Sequence, residues 1–306
     1  MTNMFQVDRF FRMEFTSEIR KITEPIYKKI SKVLPEIEWS VHAPYIYRIN
    51  QLKKEKNAII LAHNYQTPEI YHGIADVSAD SLALAIEASK TNADLIIMCG
   101  VHFMAETAKL MNPEKKVLLP DMNAGCSLSS SITGKDVRLL KEKYPGVPVV
   151  SYVNTSADVK AETDICCTSA NAVKIVNSLG VKKVIFLPDN YLANYVSSQT
   201  DVEIISWKGT CIVHEQFNEK EINEIRQNNP GIKIIAHPEC PPDVIKASDF
   251  AGSTTSMIKY VEDNQTRLLS SILPWNFLAY RSAYTFPKLP QIHLMVEVGS
   301  SVSGIS

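Results

Sequence analysis

Short apolar runs, each ending in a polar tip and followed by an amphipathic stretch, recur along this chain. Ala58–Ala62 (AIILA) runs into His63, Asn64 and Tyr65, then reaches Asp76 and, five residues on, Ser81 at the head of LALAIEAS. A run of that length, bounded by polar residues, predicts a buried strand, and the spacing after Ser81 predicts a helix. The same order returns at residues 149–176 and 233–261, with tips Tyr152/Asn154 and His237/Glu239. Asp164 and Asp249 follow these tips, with Ser169 and Thr254 five residues further. The three Asp positions are 88 and 85 residues apart, a period that points to similar small domains rather than a solenoid.

Between these units the pattern predicts strands at Leu95–Cys99, Lys116–Leu119, Lys183–Leu187 and Glu203–Trp207, and helices at Phe103–Leu110 and Leu192–Ser197. Upstream, Ile19, Ile22, Ile26, Ile30 and Val33 are spaced as on a helix, with a break expected at Pro25. A charged helix is expected over His42–Lys56. Strands alternating with helices predict an α/β fold. It is read as three pseudo-symmetric small α/β domains, parallel sheets flanked by helices, around a central site. The expected division is a helical segment over 1–57, then repeats at 58–148, 149–231 and 232–306, the last aberrant after about residue 266.

Composition narrows the function classes. A net charge of −1 over 306 residues gives no overall attraction to nucleic acid or to an acidic membrane. No apolar stretch reaches the ~18 residues of a membrane span. The first fifteen residues lack the continuous apolar core of a secretory signal, and the expected location is cytoplasmic. Six cysteines in a cytosolic chain of this size favour thiols or metal ligands over disulfides. From Arg267 onward only four residues in forty are charged, against 61 in the preceding 266. Two readings of that tail stand: an apolar segment buried in the fold, or an end altered by a shifted frame or truncation.

The cysteines follow the repeat. Cys126 lies fifty residues after Asp76 and Cys211 forty-seven after Asp164, each beyond a strand and a Gly-containing turn (Gly125, Gly209). Three such thiolates gathered on one axis would hold three irons of a four-iron cluster and leave the fourth open to substrate. The repeat puts the third at residues 296–299, where there is no cysteine, and none follows Cys240. Cys166, Cys167 and Cys99 are read as buried small apolar residues. Asp76, Asp164 and Asp249 are assigned to turns before the helices.

The stretches LAHNYQ, DMNAGCSL, YVNTSADVKA, TSANA, CIVHE, AHPEC and GSTTSMIKY, in order from about Glu38 to about Asp263, resemble the quinolinate synthase family. The resemblance implies condensation of iminoaspartate with dihydroxyacetone phosphate to quinolinate, a transferase step of NAD (pyridine nucleotide) biosynthesis. It implies a [4Fe-4S] cluster acting as Lewis acid, Cys126 and Cys211 as two ligands, and a third in a C-terminal Cys-Pro-Asn-Met block that this chain lacks. An aspartate oxidase or dehydrogenase is the implied supplier of the unstable imine.

Anionic substrates call for convergent donors, which His63, His237, Ser81, Ser169, Ser253 and Thr254 supply, with Tyr152 and Asn154 on one side of their strand end. Ser81, Ser169 and Thr254 are placed at helix starts, where free N–H groups favour carboxylate or phosphate. Tyr65 and Glu239 are the acid–base candidates, with His214 assisting. Two alternatives stand beside this: a cluster-less remnant that binds a dicarboxylate, or a zinc enzyme using Cys126, Cys211 and His214.

Overall fold

The computed structural model describes residues 13–264 and 269–272. The expectations for the extreme N-terminus and for the tail beyond residue 272 lie outside the described residues. The chain divides into two compact units, residues 1–124 and 125–306.

The first unit opens with α1 (Ser17–Ile30) and α2 (Glu36–Glu55). Pro25 does not break α1, contrary to the sequence expectation. Pro25 and Lys21, whose carbonyl loses its intrahelical donor, are both exposed, so water can satisfy that carbonyl. Helix α2 begins six residues earlier than expected, directly after Pro35, and runs through the buried Pro44. Then follow β1 (Ala58–His63), α3 (Pro68–Gly73), β2 (Val77–Ala79), α4 (Ser81–Lys90), β3 (Leu95–Cys99), α5 (His102–Met111) and β4 (Lys116–Leu118). Their parallel sheet has the order β2-β1-β3-β4.

The second unit repeats this order. Helix α6 (Gly134–Lys143) leads into β5 (Val149–Tyr152), α7 (Ala157–Ala161), β6 (Ile165–Cys167), α8 (Ala172–Ser178), β7 (Lys183–Leu187), α9 (Asn190–Ser197) and β8 (Glu203–Ser206). Their parallel sheet runs β6-β5-β7-β8. Next come α10 (Glu219–Asn228), β9 (Lys233–Ala236), α11 (Pro242–Ala247), β10 (Phe250–Ala251), α12 (Thr254–Asn264) and β11 (Leu269–Ile272), with sheet order β10-β9-β11. Strand β11, which the sequence reading did not assign, occupies the place of β3 and β7. These third strands start 19, 19 and 20 residues after Asp76, Asp164 and Asp249.

The sequence shows continuous apolar strands because the middle sheet is covered on both faces. Val150, Tyr152, Val184 and Phe186 pack into one core with Val176 and Leu192. Val149, Ile185 and Leu187, the alternate positions, pack into another with Val137 and Val159.

The three aspartates do more than form turns. Each stands at the entrance to the second strand of its sheet and clamps the first. The N–H groups of Ile60, Val149 and Ile234 donate to the carboxylates of Asp76, Asp164 and Asp249 at 2.8, 2.7 and 2.9 Å. The aspartate N–H groups return the bond to the same residues' carbonyls at 2.9, 3.1 and 2.8 Å. A cation from the preceding helix closes each clamp: Lys53, Lys141 or Arg226. This correction follows from strand register, which a sequence pattern does not carry.

Candidate functional site

The two cysteine loops are built alike. Each leaves its sheet's fourth strand, turns through Cys126 or Cys211, and enters a short 3-10 turn three residues later, Ser129–Ser131 or His214–Gln216. In each the cysteine carbonyl accepts the N–H four residues on, from Ser130 (2.9 Å) and Glu215 (3.0 Å). Each loop ends at a side chain that caps the next helix, Thr133 or Asn218. The second loop is locked by Gly209. A Cβ there would lie 2.5 Å from the Pro188 carbonyl oxygen and also strike the Ser131 hydroxyl. Both cysteines feel the charge of Glu239, and Cys211 feels that of Cys126.

Glu239 is the hub. It lies one turn past β9 and is buried, as are His214, His237 and Tyr152. The Tyr152 hydroxyl, at the end of β5, donates to Glu239 Oε1 at 2.7 Å. His214 Nδ1 stands 3.4 Å from Oε2, and His237 Nδ1 3.6 Å from Oε1. The two imidazoles stack with centroids 5.1 Å apart. Burial disfavours the carboxylate. The neighbouring His214 and His237 and the hydroxyl of Tyr152 outweigh that, and hold the Glu239 carboxyl down at about 2. Burial lowers His237 to about 4 against the pull of Glu239, so its ring is neutral at pH 7.

That neutral ring has a fixed tautomer. Glu239 N–H donates to His237 Nδ1 at 3.4 Å, which leaves the proton on Nε2, 3.2 Å from the Ser169 hydroxyl. The first unit repeats the device: Tyr65 N–H donates to His63 Nδ1 at 3.3 Å, and the two rings meet edge to face. In that unit Ser81 is the first residue of α4, which Asp80 caps through the Ala83 N–H at 2.9 Å.

Other expected residues take these places. Ser169 lies in the turn before α8, three residues short of the helix, so it does not open it. Thr254 does open α12, and Ser253 accepts the Ser256 N–H at 3.3 Å. Asn154 follows β5, half-buried. Cys167 and Cys99 are buried as expected. Cys166 is exposed: it stands opposite Cys167 across the strand and meets solvent rather than the core. Cys240 is buried among Ile222, Ile234 and Val244.

Sequence reasoning missed Asp189. It caps α9 through the Leu192 N–H at 2.6 Å, is fully buried, and its Oδ2 has no partner. Burial, with the Glu239 charge added, raises its carboxyl well above the usual range. The Pro-Asp pair at the head of a helical pattern was the available signal.

Cys211, His214 and Glu239 bring a sulfur, a nitrogen and an oxygen within 4.8 Å of one another. Both ring nitrogens of His214 are buried without a hydrogen-bond partner. At 3.4 Å its contact with Glu239 is an ion-pair approach without hydrogen-bond alignment. The donor set therefore suits a metal ion. It does not make the three-thiolate set of a four-iron cluster, because Cys126 and Cys211 are the cysteines in equivalent loops and none follows Cys240.

Repeated parallel α/β units carrying buried imidazoles and a buried carboxylate beside half-buried thiols define the class. The family model for Quinolinate synthetase A protein matches residues 47–271. The chain is 59% identical over 253 residues to the quinolinate synthase of Sinorhizobium medicae, covering 83% of this chain and 70% of that one. It is 61% identical over 237 residues to quinolinate synthase 2 of Mesorhizobium japonicum, covering 78% and 73%. It is 57% identical over 255 residues to the quinolinate synthase of Caulobacter vibrioides, covering 82% and 70%. The chain belongs to the quinolinate synthase family of enzymes.

Proposed function

We propose that this protein condenses iminoaspartate with dihydroxyacetone phosphate to quinolinate, releasing phosphate and two waters, as a cytoplasmic transferase of NAD biosynthesis. The observation that carries this reading is the buried Tyr152–Glu239–His237–His214 cluster beside two repeat-equivalent thiols, in a chain of this family. Among the described residues no helix is long and apolar enough to cross a membrane. The substrates are small molecules, and an aspartate oxidase or dehydrogenase supplies the imine; neither nucleic acid nor membrane takes part. The division into modules at 58–148, 149–231 and 232–306 belongs to the same proposal and is supported by the shared element order.

Ring closure needs a proton taken from carbon and protons delivered to departing hydroxyls. Glu239, ionised at neutral pH, accepts a proton at Oε2, with His214 standing 3.4 Å from that oxygen. Tyr152 holds Glu239 through Oε1. His237 donates from Nε2, with Ser169 as partner. Tyr65 is assigned as a second acid–base group by the resemblance, and His63, Ser81, Asn154, Ser253 and Thr254 as carboxylate- or phosphate-binding groups. The family resemblance also brings a [4Fe-4S] cluster, for which the residues present are one thiolate short, and no step here passes through it.

The test is quinolinate formation by anaerobically purified full-length protein given enzymatically generated iminoaspartate and dihydroxyacetone phosphate. Replacing Glu239 with Gln keeps the hydrogen-bond shape and removes the base, with an expected loss of about 10²–10⁴-fold. Equal turnover by wild type and E239Q would overturn the assignment of the base. Absence of product from folded wild type would overturn the function.

A further inference from the structure

We propose that Lys160 is a positioning residue: it holds the tip of the second sheet so that Asn154 meets substrate, which rests on the reading of Asn154 as a substrate-binding group. The first strands of the three sheets end in equivalent tips, at His63–Tyr65, Tyr152–Asn154 and His237–Glu239. The first residue of each tip stands four positions before the cap of the next helix, Thr67, Ser156 or Pro241. Two of these tips lock themselves. The Tyr65 N–H donates to His63 Nδ1 at 3.3 Å, and the Glu239 N–H to His237 Nδ1 at 3.4 Å. In both, the acceptor is the ring of the tip's own first residue, so side chain and main chain fix each other. The second tip has Tyr152 in that place. A phenol ring has no nitrogen acceptor, and its hydroxyl already donates to Glu239 Oε1 at 2.7 Å. The histidine lock cannot form there.

Lys160 supplies the missing hold. From α7 its ammonium donates to the carbonyl of Val153 at 2.9 Å and to that of Thr155, the two residues that flank Asn154. Charge-assisted bonds of this kind are about twice as strong as neutral ones. The Thr155 hydroxyl ties back to the Tyr152 carbonyl at 3.2 Å, and the Val153 N–H donates to the Cys167 carbonyl at 2.9 Å. Val153 and Thr155 are buried, so the main chain is fixed on both sides of the half-buried Asn154. Lys160 stands four residues past its helix cap. The same place in the self-locked tips holds Tyr71 and Ile245, whose side chains carry one donor and none. The ammonium is thus found where the tip histidine is missing. Tyr152 keeps its own anchor on Glu239, so loss of Lys160 falls on Asn154.

The test uses the full chain and has two arms. Hydrogen exchange followed by mass spectrometry reads the tip without turnover. K160M is expected to lose about 10-fold protection in a peptide spanning 150–156, while a peptide spanning 183–187 keeps its own. Steady-state kinetics reads the substrate side. K160M raises KM for iminoaspartate about 10-fold and lowers kcat less than about threefold, the mark of lost substrate binding; a smaller folded fraction alone would lower kcat at unchanged KM. N154A raises KM by a similar amount, and the N154A/K160M double variant by no more than N154A, because Lys160 acts through Asn154. K160R, which keeps the charge and two donors, restores both readouts toward wild type. K160Q, which keeps one donor group, replaces K160M if circular dichroism shows that K160M has lost its fold. Unchanged tip protection in K160M, unchanged KM, or a double variant whose losses multiply would each overturn the assignment. If folded wild type forms no quinolinate, the activity reading falls and exchange alone decides Lys160: protection lost at the tip sustains its hold, and full protection overturns it.

Discussion

Replacing Asp249 with Ala removes the clamp at the entrance of the third sheet. The Ile234 N–H, which donates to Asp249 Oδ2 at 2.9 Å, sits on a fully buried strand residue. Left without an acceptor it costs about 1–3 kcal/mol. Two ion pairs also go, with Arg226 at 2.8 Å and Lys233 at 2.9 Å. Their cations are 35% and 45% exposed, so screening limits each to at most about 1 kcal/mol. The sum is about 3 kcal/mol for D249A. D249N keeps an acceptor for the N–H and loses only the charge, about 1 kcal/mol. Hydrogen exchange reads this locally: the Ile234 amide should lose about 30-fold protection for each 2 kcal/mol. The pH sign is fixed. Burial opposes ionisation of Asp249, but the Ile234 N–H, Lys233 and Arg226 depress its carboxyl overall. The ion-pair share is therefore present above the unfolded value near 3.8 and disappears as pH falls through the lower folded value. Unchanged Ile234 protection in D249A, or equal costs for D249A and D249N, would refute the acceptor argument.

Two further outcomes are expected. His237, neutral and lowered from 6.5 to about 4 by burial, contributes stability that is full above pH 6.5 and is lost as pH falls toward 4, roughly 3 kcal/mol in all; H237N should flatten the pH dependence of urea unfolding across that window, and an unchanged slope would count against it. Gly209→Ala forces a Cβ to within 2.5 Å of the Pro188 carbonyl, so this variant should unfold at lower urea by about 1–3 kcal/mol, and near-wild-type stability would show that the loop yields.

The cysteine loops and strands were legible because they depend on local pattern. Apolar runs named β1, β3 and β7, the last two with their limits as expected and the first one residue short, since a strand buried on both faces has no alternation to misread. The repeat of Asp, strand and Gly–Cys turn located Cys126 and Cys211 in equivalent loops, which the matched 3-10 turns bear out. Helix breaks were misjudged at Pro25 because the fate of one carbonyl depends on whether water reaches it.

The sequence by itself determined the apolar first and third strands of the first two sheets, the polar tips that follow the first strands, and that two thiols share a repeat position. Tertiary structure alone decided that Tyr152 meets Glu239 across 87 residues, that each aspartate clamps a neighbouring strand, that Cys166 faces water, and that His214 is buried without a hydrogen-bond partner. The reason is the range of the forces. Burial and capping act on residues a few positions apart and leave a periodic trace. Hydrogen bonds and charges between modules join partners whose spacing obeys no period, so only packing can show which groups meet.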